Sequence, residues 1–146
     1  DRPFALTVAF YPPKAVGSAS EPGAQWTPKD NFYELYKDHK FVEPYSFSEA
    51  FEVLPSFLKH SISQHRFKQR YSTHEHYEEG MKRYHALVSQ VDRASEQIIE
   101  ELKRQNVYNN TMIIVTADNG LMLGAHGLAG KWHAYEESIR VPLLIR

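Results

Sequence analysis

Met112-Ile113-Ile114-Val115-Thr116-Ala117-Asp118-Asn119-Gly120 is an apolar, β-branched run that stops on a carboxylate, an amide and a glycine. Such a run is too short for a typical helix and reads as a buried strand. Asn-Gly then signals a turn. Upstream, Tyr84, Leu87, Val88, Val91, Ala94, Ile98 and Leu102 recur at spacings of three and four. That pattern predicts an amphipathic helix over roughly Tyr77 to Gln105, with Glu96, Glu100, Glu101, Lys103 and Arg104 mainly on its wet side. Asn106 and Asn109-Asn110 mark its end. Phe4 to Phe10 (FALTVAF) reads as a second buried strand, closed by Pro12 and Pro13, and Val141 to Ile145 as a third. Strand, long excursion, helix and strand give an α/β fold with a mostly parallel sheet and crossover helices. Phe4–Phe10 and Met112–Thr116 are expected as neighbours in that sheet, joined by a right-handed crossover. Its open edges imply an incomplete sheet, because parallel sheets are normally covered on both faces.

The 146 residues are 42% hydrophobic and 24% charged, with a formal net charge of −1. That is ordinary for a globular protein and offers no basic field for nucleic acid. No apolar run approaches the ~20 residues of a membrane span. There is no cysteine, which excludes disulfides and thiolate metal sites within these residues. From Lys14 to about Ser72 the chain is irregular but rich in aromatic residues, so it is expected to be packed and not disordered. Ser72 and Thr73 are plausible helix caps. His74-Glu75-His76 lacks a nearby third ligand and is read as a solvated stretch ahead of the helix. Asn109-Asn110-Thr111 is a formal glycosylation sequon.

Asp118 and Asn119 offer two hard oxygens at the C-terminal end of a strand, where open α/β sheets keep their ligands. On spacing alone a strand-ending Asn-Gly turn is the readier reading of the same residues. Lys131 stands after Gly127-Leu128-Ala129-Gly130, as either an oxyanion-binding point charge or a solvated surface lysine. His126 and His133 flank it, as proton donors or hydrogen-bonded structural residues.

Taken together the C-terminal motifs are more specific. Asn110 through Gly120, then Leu123-Gly124-Ala125-His126-Gly127-Leu128, Lys131-Trp132 and Tyr135-Glu136-Glu137-Ser138-Ile139-Arg140-Val141-Pro142-Leu143 resemble the second conserved half of the type I sulfatases, members of the alkaline phosphatase superfamily. Tyr84-His85-Ala86-Leu87-Val88 with Val91-Asp92 resembles the family helix before this strand. Phe4 to Lys14 is similar to a family strand ending in an active-site loop. The resemblance implies a fragment of one catalytic domain: 1–14 strand and loop, 15–76 variable segment, 77–105 helix, 110–146 metal- and sulfate-binding segment. It implies a sulfuric ester hydrolase that uses a formylglycine and one divalent cation, calcium or magnesium. By position, Asp118 and Asn119 become metal ligands, Lys131 a catalytic sulfate-binding residue, His126 a residue near the site, and Lys14 a sulfate-binding residue where the family has histidine. The implied substrate is a small-molecule or glycan sulfate ester, and the implied location is periplasmic, secreted or lysosomal.

The chain departs from the pattern in having no Cys- or Ser-x-Pro-x-Arg signature and no N-terminal aspartate pair, and in placing Ala125 where glutamate is usual. The formylglycine is therefore expected outside these residues, and the chain is expected to be inactive alone. A phosphodiesterase or phosphonate monoester hydrolase of the same superfamily, and a non-catalytic sulfated-glycan-binding relative, are the alternatives.

Overall fold

The computed structural model describes residues 2–16, 21, 23–47 and 50–146. Four short helices come first: α1 (Asp30–Tyr33), α2 (Ala50–Val53), α3 (Ser56–Lys59) and α4 (Ile62–Arg70). Pro55 separates α2 from α3, because a proline nitrogen has no hydrogen to continue a helix. Ser61 caps α4 by accepting a hydrogen bond from the Gln64 amide.

The long helix α5 (His74–Arg104) follows. Thr73 Oγ1 caps it, accepting from the His76 amide at 3.3 Å. The helix begins nearly a turn before the apolar periodicity predicts. His74, Glu75 and His76 form its first turn but carry no apolar stripe to reveal it. At the far end Asn106 adopts φ +59°. The Asn106 amide reaches Lys103 O and the Val107 amide reaches Leu102 O, a Schellman closure.

The N-terminal half of α5 buries Tyr77, Met81, Ala86 and Leu87. Trp26 packs against Gly80, where a Cβ would stand 3.2 Å from the indole. Trp26, Phe47, Tyr71, Tyr77, Met81, Leu87 and Ala129 make one core cluster. Leu54, Leu58, Met122 and Leu128 make a second. The expectation that the aromatic middle segment is packed holds for Trp26 and Phe47, whereas Tyr45 and Phe57 are exposed. The loop carrying Met122, Leu128 and Ala129 is rooted in both clusters, which fixes its position against the helices.

The sheet differs from the expectation. Its two strands are β1 (Ile114–Thr116) and β2 (Leu143–Ile145), antiparallel, with Ile114 opposite Ile145 and Thr116 opposite Leu143. Ile113 and Arg146 extend the ladder through reciprocal amide hydrogen bonds. The short helix α6 (Glu136–Ile139) precedes β2. Phe4–Phe10 is not a strand among the described residues, and Phe4 and Leu6 are 61% and 72% exposed. The expected parallel pairing with Met112–Thr116 is therefore corrected. A strand is stabilised by the ladder beside it, and this run has no partner edge here. The strands expected to be buried, β1 and β2, are likewise exposed along their length.

Candidate functional site

Pairing of β1 with β2 closes a long loop, residues 117–142, that holds most of the predicted site residues. Thr116 Oγ1 donates to Pro142 O at 2.9 Å, which fixes the two ends of the loop together. Asp118 and Asn119 leave β1 through Ala117. Gly120 follows, pressed against α6: its amide donates to Ser138 O at 2.8 Å, and a Cβ would lie 2.2 Å from Glu137 O. Only glycine allows this approach. On the return path Met122 N donates to Gly130 O at 2.8 Å, bringing Lys131 back alongside Asn119.

The Lys131 ammonium donates to Asn119 Oδ1 at 2.5 Å and stands 3.8 Å from Asp118 Oδ2. Asn119 Nδ2 donates to Gly120 O at 2.7 Å, which orients its oxygen toward the lysine. The Asp118 side chain is 87% exposed and that of Lys131 36%. Three residues read separately from the sequence thus meet in one exposed cluster.

The other two candidates lie apart from it. His126 sits at φ +58° between Gly124 and Gly127. Its amide donates to Ser46 Oγ at 3.0 Å, its Nε2 is 3.2 Å from Glu137 Oε1, and its ring stacks on Tyr135 at 4.6 Å. The Glu137 and Tyr135 partners carry no signal of their own in the sequence beyond membership of the quoted motif. Lys14 lies over the Tyr11 ring, 5.1 Å from its centroid. Among the described residues no contact joins Lys14 or His126 to Asp118, Asn119 or Lys131.

A divalent cation would find two hard oxygens here, already gathered around a cationic group, the lysine ammonium. Their chemistry suits calcium or magnesium, but calcium takes six to eight oxygens. No group of three or more acidic, histidine or cysteine residues able to hold a metal occurs among the described residues. The pair fits part of a coordination shell.

The described residues thus form a helix-dominated, incomplete α/β piece in which a carboxylate, an amide and a lysine meet at a strand end. The family profile described as Sulfatase matches residues 56–146, and the chain belongs to the sulfatase family. It is similar to a choline-sulfatase of Rhizobium meliloti, 26% identical over 144 residues, which cover 99% of this chain and 26% of that protein. It is similar to an N-acetylglucosamine-6-O-sulfatase of Bacteroides thetaiotaomicron, 39% identical over 70 residues, 48% of this chain and 12% of that one. Its fold resembles that of a protein solved in complex with its substrate D-glucosamine-2-N,6-O-disulfate, with a TM-score of 0.62, 22% identity, and coverage of 83% of this chain and 36% of the other. The chain thus spans about a quarter of the choline-sulfatase it matches and less of the second relative.

Proposed function

We propose that the protein carrying this chain hydrolyses sulfate esters, with Lys131 as the sulfate-binding cation and Asp118 and Asn119 as two ligands of a divalent metal. The observation that carries the reading is the convergence of the three: one ammonium lies within 2.5 Å of Asn119 Oδ1 and 3.8 Å of Asp118 Oδ2. Family membership supports the reaction class. The bound cation, calcium or magnesium, would supply Lewis-acid polarisation of the sulfuryl group. Asp118 and Asn119 would fix its position at the end of β1. Lys131, held on a loop rooted in two core clusters, would exchange its hydrogen bond with Asn119 Oδ1 for the ester oxygen once that amide oxygen holds the cation, and would there meet the charge that develops. His126, oriented by Glu137 and Tyr135, would line the approach. Lys14, a cation on the loop after Pro13, would add a contact to a sulfate oxygen. The nucleophile, a formylglycine by resemblance, would come from a segment outside these residues.

A sulfated carbohydrate is the proposed substrate class. The relative named for N-acetylglucosamine-6-O-sulfate, 39% identical over 70 residues, supports it. The test is turnover of 4-nitrophenyl sulfate and of a 6-sulfated hexosamine by the intact protein, before and after chelation of divalent cations. We expect both to be cleaved and chelation to abolish cleavage, with calcium or magnesium restoring it. Activity indifferent to chelation would remove Asp118 and Asn119 from the metal role. Failure to cleave any sulfate ester, with a phosphate diester or phosphonate ester cleaved instead, would reassign the reaction.

A further inference from the structure

Arg66 belongs to no motif of the sequence and lies in the middle of α4, within the irregular, aromatic-rich segment. One turn earlier on that helix, Ser63 is fully buried against the loop that leads to Lys131. Its hydroxyl donates to Ala129 O at 2.8 Å, and the Ala129 amide donates back to Ser63 O at 3.0 Å. Residues three apart share a helix face, so the face that grips Ala129 also presents Arg66 to the residues just beyond. Its guanidinium carbon lies 5.4 Å from the ring centroid of Trp132. Its Nη1 is 3.9 Å from where a Gly130 Cβ would stand. A Cβ at Gly130 would stand 3.1 Å from Trp132 Cδ1 and Nε1, and φ +91° there favours glycine in any case.

Trp132 is 57% exposed, an unusual state for the largest apolar side chain, and it directly follows Lys131. A cation–π contact with an indole takes up none of the guanidinium's hydrogen bonds, so its N–H donors can still meet an anion. No carboxylate forms an ion pair with Arg66 among the described residues. Lys131 and Trp132 are adjacent in the chain and Arg66 reaches the Trp132 ring from α4, so two cations flank one open aromatic surface, a match for a ligand that carries two anions on one ring.

We propose that Arg66 and Trp132 form a subsite beside Lys131 that selects sugars bearing a second sulfate. This rests on the reading of Lys131 as the sulfate-binding residue of a sulfated-carbohydrate hydrolase. Trp132 stacks its free indole face on the sugar ring, as amphipathic rings do at binding surfaces. Arg66 holds the non-scissile sulfate by charge-assisted hydrogen bonds. The specificity-determining cation then comes from α4, and the bond-breaking cation from the loop that α4 grips.

The test compares glucosamine 6-sulfate with glucosamine 2-N,6-O-disulfate as substrates of the intact enzyme, wild type and Arg66→Gln. The expected wild-type result is a KM at least tenfold lower for the disulfate. Arg66→Gln should bring the two KM values together, by weakening the disulfate alone and without moving the melting temperature. Arg66→Lys should restore only part of the preference, since it keeps the charge and loses the planar fork. Trp132→Ala should weaken both sugars. Equal KM values in the wild type, or an equal rise for both sugars in Arg66→Gln, would overturn the subsite while leaving the sulfatase reading intact. If no sulfate ester is cleaved, that reading fails by itself. Equilibrium dialysis of the disulfate then decides the subsite, with equal retention by wild type and Arg66→Gln counting against it.

Discussion

Gly120 has no room for a side chain. A Cβ there would lie 2.2 Å from Glu137 O and 2.9 Å from Arg140 O, both of them backbone atoms that cannot swing aside. Gly120→Ala must push α6 away from the turn that carries Asp118 and Asn119. We expect a loss of about 1–3 kcal/mol in stability, the usual cost of overpacking, read from urea denaturation. Lys131 behaves differently. Its contacts with Asp118 and Asn119 are partly exposed, and exposed ion pairs contribute only about 0.2–1 kcal/mol. Lys131→Ala should leave the melting temperature nearly unchanged and lower kcat of the intact enzyme by about 10²–10³, the cost of losing one preorganised donor. Arginine at this position should rescue poorly, because a planar fork does not reproduce a compact point charge. A near-normal kcat in Lys131→Ala would remove the lysine from the sulfate site. At this scale the sequence was legible through motif resemblance more than through spacing. Asp118-Asn119 looks like any turn, and Lys131 like any surface lysine, until the surrounding residues are read together. Arg66 gave no signal, since a lone arginine on a short helix is indistinguishable from a solvated one. Its position depends on the Ser63–Ala129 contact, which spans 66 residues of sequence.

The elements divide by whether their reason for existing is local. Helix α5 was legible because its apolar stripe, its cap at Thr73 and its closure at Asn106 are written in consecutive residues. Phe4–Phe10 was misread because the same apolar pattern serves a strand only when a partner edge is present. The β1 and β2 runs were found, but their antiparallel pairing depends on the loop between them, which no periodicity encodes. The junction of α4 and α5 permits a prediction about pH. Tyr71 lies there, 3% exposed, in ring contact with Trp26, Phe47, Phe67 and Tyr77. Burial raises its phenol pKa well above the ordinary value of 10.0. Tyr77 and Tyr84 on α5 are raised in the same direction by burial. Above pH 10 the unfolded chain releases phenolic protons that the folded chain still holds, so stability falls with rising pH. The contribution is complete below pH 10 and declines above it. Thermal melts taken from pH 8 to pH 11.5 should show a decline beginning near pH 10. Tyr71→Phe should make that decline shallower, and an unchanged slope would mean that Tyr71 is not held neutral by the fold.

On the scale of the molecule, apolar surface is concentrated on the strands and the N-terminal run. Phe4, Leu6, Met112, Ile114, Leu143, Leu144 and Ile145 are each more than half exposed. Exposed strand edges with apolar side chains are templates for association. The 146-residue chain in isolation should therefore bind the dye ANS and scatter light increasingly with concentration. Replacing Ile114 and Leu144 by lysine should reduce both effects, and a wild-type chain that stays monomeric and dye-free at high concentration would contradict this account of the surface.

The length of α5 has a further consequence. Thirty-one residues at 1.5 Å each extend about 46 Å, whereas a compact globule of 146 residues has a radius of gyration of about 15 Å. The helix is longer than such a globule is wide, so its two halves live in different surroundings. Tyr77, Gly80, Met81, Ala86 and Leu87 in the first half are buried. Val91, Ile98 and Leu102 in the second are only half-buried. One hydrogen-bonded rod should therefore exchange its amide protons on two timescales. Amides up to about Val88 should open only with the whole fold, and those beyond about Ser95 should open by local fraying, orders of magnitude sooner.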